Sequence, residues 1–484
     1  MKFAEHEPVL PVNFEPVSNG EYLPEVPDPL RLEMERRAHE LTADSAARLG
    51  VSRRTFLRSL SAMAATLWTI DSVTANALGI PAGCWYPMTK EACIDESAAT
   101  GLFADVDFVF DVQGHLLEYE LDPSTAGDWF WGRQFPQARC EDEDDPRACF
   151  TMNHFLEEVF VRSDTTMVAL SGLPILPEGS PLPAELMEET RRVVAALSGD
   201  ERVLVNAQAL PQVTEIDALL EEMDRTVAEN EIHGWKTFTH FPVGMPWRLD
   251  DRDPDLPQVA GPFLQKLVEL GTPTLFVHKG LSDGARAGSP EDIGPAAMAH
   301  PDVRFAVYHS GFEVAHREGQ YAPEPARGVD RLVKSLADAG VGPGSNVYAE
   351  IGSTWWHLMR RPDEAAHVLG KLLLAVGEDN LLWGTDSIFY GSPQSQIDAF
   401  RAFEIPAAWQ ERFGYPALTA EVKRKVLGRN AARLYDVTPV TSSAVFGKDE
   451  IEEARRSHPV PNLTWGPKTN QAVRQFREHH QGWP

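Results

Sequence analysis

Residues 303–311, VRFAVYHSG, carry the pattern that decides the fold of this chain. A short run rich in β-branched and aromatic residues ends in a polar side chain, here His309. The segment PTLFVHKG at residues 273–280 ends in the same way, and an amphipathic helical pattern, GVDRLVKSLADAG, follows at residues 328–340. Strand-like runs that alternate with helical patterns are typical of a parallel sheet built from βα units.

Eight runs of this kind are spread over the middle of the chain. They are Phe108–His115, Thr165–Gly172, Arg202–Gln208, Gly234–Phe241, Pro273–Gly280, Val303–Gly311, Asn346–Ser353 and Asn380–Ser387. Eight βα units are the number that closes a (β/α)8 barrel. We therefore predict an α/β protein, a (β/α)8 TIM barrel at residues 108–437, in which residues 421–437 form a closing helix.

The predicted barrel is flanked and interrupted by segments that do not follow the repeat. These segments are an N-terminal arm (1–51) with an amphipathic helix at 29–50, a candidate signal (52–77), a connector (78–107), an insertion after the first strand (116–162) and a polar C-terminal tail (438–484). The insertion is too long for an ordinary βα loop. Because it contains Trp129, Phe130 and Trp131, we expect it to cover the pocket or to pack on the barrel.

The composition is that of a soluble globular protein with a sizeable core. Apolar residues make up 43% and charged residues 24% of the 484 residues. The formal charge of -28 repels phosphate backbones, so we expect no nucleic-acid partner, whereas this charge says little about the small-molecule substrate that we expect. No apolar run is long enough to span a bilayer, and we expect no membrane span.

Residues 52–70, SRRTFLRSLSAMAATLWTI, resemble a twin-arginine export signal. The pair Arg53 and Arg54 precedes a modest apolar stretch, and Ala75 and Ala77 provide a small-residue cleavage site. This pattern predicts an exported, periplasmic protein. The alternative is a second surface helix in a cytoplasmic protein.

The four cysteines fall into two local pairs, Cys84 with Cys93 and Cys140 with Cys149. In an oxidising compartment either pair could close a small disulfide loop, although four cysteines allow three connectivities. Neither pair has the spacing of a structural zinc site. We therefore interpret the four cysteines as possible disulfide partners and not as metal ligands.

A polar side chain stands at the end of every predicted strand. These side chains are His115, Ser171, Gln208, His240, His278, His309, Glu350 and Asp386. The carboxyl ends of barrel strands open onto one face, so residues distant in sequence converge there. Imidazole and carboxylate groups are the donors that catalytic divalent metals prefer. His115, His278, His309 and Asp386 are therefore the predicted centre of an active site.

The same positions carry a family resemblance. Asp111, Gln113 and His115 resemble a D-x-H-x-H first strand, and FVHKG, VYHSG and LLWGTDS supply His278, His309 and Asp386. With the terminal LGRNAARLY at residues 427–435, this pattern resembles the amidohydrolase superfamily, especially its branch related to aminocarboxymuconate semialdehyde decarboxylase. The resemblance covers residues 108–437.

The resemblance implies that His115, His278 and Asp386 bind one divalent metal ion, usually zinc, and that the protein is a homodimer. His309 would activate the metal-bound water or orient the substrate, and Asp386 would be ligand, base or both. Gln113 replaces the first histidine of the family. An amide oxygen is a harder and weaker donor than imidazole, so this site would hold zinc less firmly and accept manganese. Metal-free catalysis and loss of activity are the alternatives.

Further residues are candidates for binding the substrate or orienting an active-site histidine. They are Glu350, His240 and Trp355, together with Lys279, Arg133 and Arg248 for a substrate carboxylate. Lys236, on the fourth strand, is expected to have a structural or electrostatic role and not to bridge two metals.

The leading prediction is a metal-dependent hydrolase that cleaves an amide, ester or lactone with metal-activated water. One alternative is a metal-dependent, non-oxidative decarboxylase of an aromatic or unsaturated acid. The other alternative is a degenerate barrel without catalytic activity, which Gln113 and the long appended segments suggest.

Overall fold

The computed structural model describes residues 9–14, 17–19, 21–22, 27–118, 149–176, 180–240, 246–282 and 286–457. Within these ranges, eight parallel strands form one sheet in which each strand pairs with the next in chain order. They are β1 (Val109–Gly114), β2 (Thr165–Ser171), β3 (Val203–Gln208), β4 (Gly234–Phe238), β5 (Thr274–His278), β6 (Arg304–Tyr308), β7 (Val347–Glu350) and β8 (Leu381–Leu382). Every strand lies within a predicted run, so all eight predictions are confirmed.

The sheet closes on itself between its last and first strands. The backbone N–H of Val112 donates to the carbonyl of Trp383 at 3.0 Å, and Gly114 forms a parallel bridge with Ser387. This closure makes the fold a (β/α)8 TIM barrel with extensions, as predicted.

Helices surround the barrel and extend it at both ends. In the described ranges they are α1 (Pro29–Leu49), α2 (Arg53–Phe56), α3 (Leu60–Leu78), α4 (Glu96–Thr100), α5 (Met152–Leu156), α6 (Ala184–Ser198), α7 (Ile216–Glu229), α8 (Ala260–Glu269), α9 (Ile293–Ala299), α10 (Asp330–Ala339), α11 (Thr354–Leu358), α12 (Pro362–Val376), α13 (Gln394–Ala402), α14 (Ala407–Phe413), α15 (Ala420–Arg424), α16 (Asn430–Tyr435) and α17 (Lys448–Ser457). A π-helical turn at Lys425–Arg429 joins α15 to α16, and together they form the predicted closing helix.

The interior of the barrel is a packed core. The ring of Tyr435, from α16, stacks at 5.5 Å on both Phe110 and Phe276, and Tyr308 lies against Phe276. Side chains fill the barrel as they do in TIM barrels generally, which leaves the carboxyl ends of the strands as the place for a site.

The apolar part of the candidate signal is the internal helix α3. It packs against α1 and against the barrel helices α12 and α13, and most of its residues are buried. Asp71, 1% exposed, accepts hydrogen bonds from the backbone N–H groups of Trp85 and Tyr86 at 2.8 and 3.1 Å. The alternative prediction of a surface helix is therefore wrong, because this helix is buried on nearly all sides.

The cysteines follow the sequence prediction only in part. Cys84 and Cys93, one of the two pairs that could have closed a disulfide loop, are free thiols, each donating to a carbonyl in its own loop. Cys149 is disulfide-bonded, whereas Cys140 lies outside the described residues.

The first described residues lie on the barrel although they form no helix. We call residues 9–14, 17–19 and 21–22 the leading segment. Its apolar side chains Leu10, Val12, Phe14 and Val17 are buried. The carbonyl of Asn13 accepts a hydrogen bond from the Arg360 guanidinium at 2.6 Å. The leading segment is therefore part of the folded core.

The insertion and the tail are described only in part. Trp129, Phe130, Trp131 and Arg133 lie outside the described residues, and so do residues 458–484. The tail is not uniformly polar as predicted, because α17 buries Ile451 and packs against α6. Among the described residues, no helix is long and apolar enough to cross a membrane.

Candidate active site

A small cavity with about 20 Å³ of free volume lies at the carboxyl ends of the strands. The barrel lines it with Gln113, His115, His278 and Asp386, each at most 4% exposed. His309 is fully buried, and its ring lies 4.6 Å from that of His278. The structure thus brings together the four residues of the predicted centre, with Gln113 beside them.

Two of these residues have strained backbones. His309 and Asp386 have φ angles of 63° and 60°, in the left-handed region that residues other than glycine rarely adopt. Such conformations cost about 1–3 kcal/mol each and cluster at functional sites. The backbone N–H of His309 donates to Glu350 at 3.0 Å, and that of Asp386 donates to the carbonyl of Gln113 at 3.0 Å. These bonds hold both side chains towards the cavity.

Each of the three histidines has one ring nitrogen on a backbone carbonyl. His115 Nδ1 donates to Ser171 at 2.8 Å, His278 Nε2 to Gly280 at 3.1 Å and His309 Nδ1 to Gly352 at 2.7 Å. A carbonyl oxygen only accepts, so these nitrogens carry the protons. In the neutral rings the other nitrogen therefore presents a lone pair. Histidine ligands of metals are commonly fixed in this way.

Two of the lone-pair nitrogens face carboxylates. His115 Nε2 lies 3.2 Å from Asp386 Oδ1, and His278 Nδ1 lies 3.5 Å from Glu21 Oε1. A lone pair facing a carboxylate oxygen is repulsive unless the ring is protonated or a cation lies between them. In the described part of the chain, Glu21, His278 and His309 form a group whose donor atoms all lie within 4.8 Å of one another. These side chains fit a divalent metal ion.

Gln113 occupies this site with its amide nitrogen towards the polar groups. Nε2 donates to Asp386 Oδ1 at 3.1 Å and lies 3.5 Å from His309 Nε2. Its Oε1 is buried, with no hydrogen-bond partner among the described residues. Gln113 therefore ties Asp386 to His309, and its oxygen remains available as a weak ligand.

The leading segment supplies side chains that the sequence analysis missed. Asn19 Nδ2 donates to Asp386 at 2.8 Å and to Glu21 at 2.7 Å, and the Glu21 backbone N–H donates back to Asn19 at 3.0 Å. Tyr22 and Tyr390 share a hydrogen bond of 3.0 Å between their hydroxyls. No periodic pattern marks VSNGEYLPEV (17–26), so propensity and spacing contained no signal for these residues.

Lys236 enters the cavity from β4. Its Nζ lies 3.7 Å from the centre of the Tyr308 ring, and it has no hydrogen-bond partner among the described residues. Burial lowers the pKa of Lys236, although the charges of Glu21 and Asp386 oppose this effect. Its pKa is about 7, so Lys236 is charged in only part of the molecules at neutral pH, and its structural or electrostatic role stays a prediction.

Two buried carboxylates shape the backbone of the site. Glu350 accepts hydrogen bonds from the backbone N–H groups of His309 and Gly352, as its predicted orienting role requires. Asp111 accepts from the N–H groups of Gln113 and Thr385 at 2.9 and 3.0 Å, which ties the end of β1 to the segment after β8. Burial raises the pKa of Glu350 to about 8 and that of Asp111 to about 7.

Protonation in the site follows from burial and neighbours. Burial lowers the pKa of His309 to about 4, so its ring is neutral at physiological pH. Burial alone would raise the pKa of Asp386, but its contacts with His115 and with the Ser353 hydroxyl outweigh burial and hold this pKa below its usual range. Burial and the charge of Asp386 raise the pKa of Glu21.

Some predicted residues are engaged elsewhere. Lys279 is fully buried and pairs with Asp292 at 2.8 Å, so it is not free to receive a substrate carboxylate. Arg248 forms an ion pair with Asp250. Trp355 packs edge-on against Phe400 and Phe403 and donates to a backbone carbonyl, as a core residue does. In the described structure each of these three side chains is engaged by its own local partners, so the geometry lends no support to a role in binding the substrate.

His240 lies close to the site. Its ring is half-buried and lies 5.1 Å from that of His278. Burial, followed by the charge of Lys279, lowers the pKa of His240 to about 3. His240 is thus a neutral ring beside His278 and not part of the cavity wall itself, so its role towards the substrate stays a prediction.

Several solved structures are similar to this chain. The 5-carboxyvanillate decarboxylase from Novosphingobium aromaticivorans, complexed with manganese and a nitrobenzoic acid, is 14% identical over 68% of this chain and 96% of that one, with a TM-score of 0.42. The 2,6-dihydroxybenzoate decarboxylase from Rhizobium is 18% identical over 68% and 98%, with a TM-score of 0.39. A putative 2-pyrone-4,6-dicarboxylic acid hydrolase from Pseudomonas putida is 16% identical over 68% and 97%, with a TM-score of 0.37.

Sequence comparison is more decisive. No curated protein matches the chain. The sequence model of the amidohydrolase family matches residues 182–437, which include β3 to β8 and the site residues His278, His309 and Asp386. Because this match covers more than half of the 484 residues, the chain belongs to the amidohydrolase family and is an enzyme of the amidohydrolase superfamily.

Proposed function

We propose that this protein is a metal-dependent hydrolase that cleaves an amide, ester or lactone of a small substrate with activated water. One observation carries the proposal. Three buried imidazoles each donate one N–H to a backbone carbonyl and turn the other nitrogen towards the same cavity, where Asp386 and Glu21 supply carboxylates. A set of lone pairs and carboxylates oriented in this way suits a divalent cation.

His115, His278 and Asp386 would hold the ion, with the oxygen of Gln113 as a weak further donor. The mixture of nitrogen and oxygen donors suits Zn²⁺ and also Mn²⁺. A bound divalent ion lowers the pKa of its water towards neutrality and polarises a carbonyl oxygen.

His309 is the residue that we expect to accept the proton of the attacking water. Its Nδ1 is held by the Gly352 carbonyl, so Nε2 is the accepting atom. The ring is neutral because burial lowers its pKa to about 4. Glu350 holds the backbone of His309, and Ser353 and Asn19 hold Asp386. A positioned proton acceptor contributes roughly 10²–10⁴-fold to a rate.

The cavity favours a small substrate with negative or developing negative charge. Its free volume is about 20 Å³, room for one or two water molecules, so we expect a small substrate. Lys236, a cation when it is protonated, faces the cavity, and Phe238 and Phe389 form apolar walls. Lys236 would stabilise the oxyanion that forms when water adds to a carbonyl.

Lys236 also supports the second candidate, decarboxylation of an aromatic or unsaturated acid. A buried ammonium group without a hydrogen-bond partner among the described residues can pair with a substrate carboxylate. After loss of CO₂ the carbanion needs a proton, and the ammonium of Lys236 can donate one. The homodimer stays a prediction under either activity.

Elemental analysis of the purified full-length protein tests the proposal first. We expect about one equivalent of zinc or manganese, its loss in Asp386→Ala and its retention in the surface control Asp338→Ala. Protein loaded with each metal is then offered ester, lactone, amide and aromatic acid substrates. Acid release without CO₂ identifies the hydrolase, whereas CO₂ release identifies the decarboxylase. Protein without metal that turns over none of these substrates would refute both and favour the degenerate barrel.

For location we propose that residues 52–77 stay attached to the enzyme in whichever compartment it works. Export through the twin-arginine route stays a prediction. Cleavage near Ala77 would separate the buried helix α3 and the site residues Asn19 and Glu21 from the barrel. N-terminal sequencing of the protein from its native host tests this proposal, and a mature chain beginning near residue 78 would contradict it.

A further inference from the structure

The leading segment brings one carboxylate into the site from outside the barrel. Glu21 Oε1 lies 3.5 Å from His278 Nδ1, and the Glu21 side chain is 9% exposed. Glu21 shares with His278 and His309 the group of donor atoms that lie within 4.8 Å of one another. The segment therefore ends in the cavity, beside two of the predicted site histidines.

Glu21 is held in place by polar contacts and not by chance burial. Asn19 donates one hydrogen bond to Glu21 Oε2 and another to Asp386 Oδ2, so one amide spaces the two carboxylates. The Glu21 backbone N–H donates to Asn19 Oδ1. The Asn19 amide donates to Oε2 of Glu21, which leaves Oε1 of Glu21 directed at His278. Two carboxylates held this close in a buried cavity repel each other unless a cation compensates them.

The barrel alone leaves the metal site short of negative charge. At the position where the resemblance expects a histidine, Gln113 offers a neutral amide whose nitrogen, and not its oxygen, contacts Asp386. The other buried carboxylates of the barrel mouth, Glu350 and Asp111, are occupied by backbone N–H groups. Asp386 is then the one carboxylate of the barrel that faces the histidines in the described structure. Glu21 adds the second negative charge that balances a divalent ion.

We propose that Glu21 is a ligand of the divalent metal ion, so that the leading segment is a structural part of the metal site and not a cover over it. The inference rests on the metal site of the proposed function. It assigns the oxygen Oε1 of Glu21 to the ion that His278 also binds. With Glu21 as a ligand, Gln113 needs to contribute little to the affinity for the metal ion.

Metal affinity tests this inference without an activity assay. Apo protein is titrated with Mn²⁺, and free Mn²⁺ is measured by electron paramagnetic resonance, for wild type, Glu21→Gln, Glu21→Asp and the exposed control Glu40→Gln. We expect the dissociation constant to rise at least about tenfold in Glu21→Gln, since even groups behind the ligands contribute that much, and to recover in part in Glu21→Asp. The control should match wild type. Thermal unfolding of the apo proteins checks that each variant is folded.

The outcomes separate this inference from the proposed function. If wild type and Glu21→Gln bind Mn²⁺ with equal affinity, the ion is held by the barrel alone and the ligand role of Glu21 is refuted while the metal site stands. If Glu21→Gln binds as wild type does and turns over substrate faster, the leading segment is an inhibitory plug, which also overturns the inference. If wild type binds neither Mn²⁺ nor Zn²⁺, both proposals fail.

Discussion

Two regions supply polar side chains to the same cavity, and they hold those side chains by different means. The barrel mouth presents His115, His278 and Asp386 from the ends of strands whose backbones are fixed by the sheet. The leading segment presents Glu21 from irregular backbone, held by Asn19 and by the hydroxyl contact between Tyr22 and Tyr390. The barrel fold itself sets the positions of the polar side chains at the barrel mouth. The position of Glu21 in the leading segment depends instead on contacts with a few side chains.

This difference suggests that the two regions have different roles in the site. Residues whose geometry is fixed by the sheet suit the chemical step, where small displacements are costly. A segment held by side-chain contacts can tune affinity. The following predictions test whether the two regions are as unequal as this comparison implies.

The largest effect should come from the barrel mouth. His309→Gln removes the proposed proton acceptor but keeps a polar side chain, so turnover should fall by roughly 10²–10⁴-fold, the usual contribution of such a group. Steady-state kinetics on the substrate found in the screen measure this loss. His300→Gln, a partly exposed histidine that ends α9, is the control. Turnover of His309→Gln within twofold of wild type would exclude His309 as the proton acceptor.

Sequence reasoning was strong where periodicity controls structure. Each of the eight strands alternates or clusters apolar residues, and a parallel barrel then forces the final polar residues together, which is why His115, His278, His309 and Asp386 were predictable. Sequence reasoning failed for side chains that form ion pairs or hydrogen bonds with neighbouring residues outside the cavity. Lys279 is at a strand end, but Asp292 pairs with it.

The sequence did not predict the site residues of the leading segment for a different reason. Its positions are set by tertiary contacts such as the hydrogen bond from Asn19 to Asp386, which joins residues 367 positions apart. For helix α3 the sequence left two interpretations open, because an apolar stretch behind paired arginines matches an export signal and an internal helix equally well, and export stays a prediction.

The next prediction compares the packing of the two regions. Phe305, in β6, is fully buried and Phe14, in the leading segment, is 2% exposed. Truncation of a buried phenylalanine to alanine typically costs about 3–5 kcal/mol. If the leading segment unfolds together with the barrel, Phe14→Ala should approach the loss of Phe305→Ala in denaturant unfolding. If the free energy of unfolding falls in Phe305→Ala but not in Phe14→Ala, the leading segment detaches before the barrel unfolds.

A smaller effect is expected from the contact that links the regions. Asn19→Ala removes the amide that holds both Glu21 and Asp386 while leaving every barrel residue in place. Mn²⁺ affinity should fall by roughly 10–100-fold, as it does when groups that orient ligands are removed. Asn76→Ala, which changes an exposed asparagine of α3, is the control. Equal losses in the two variants would mean that the effect is not specific to the ligands.

The smallest effect should come from the start of α1, the helix that follows the leading segment. Asp28 caps this helix by accepting the backbone N–H of Arg31 at 2.8 Å. Asp28→Ala should lower the free energy of unfolding by about 1 kcal/mol, and Asp28→Asn, which keeps an acceptor, should lose much less. This prediction requires α1 to unfold with the barrel, because a cap stabilises only the unit that contains its helix. Since α1 packs on α3, and α3 packs on α12 and α13, we expect the loss to appear in the global transition. An unchanged global midpoint with selective deuterium exchange in residues 29–49 would place α1 outside the cooperative unit of the barrel.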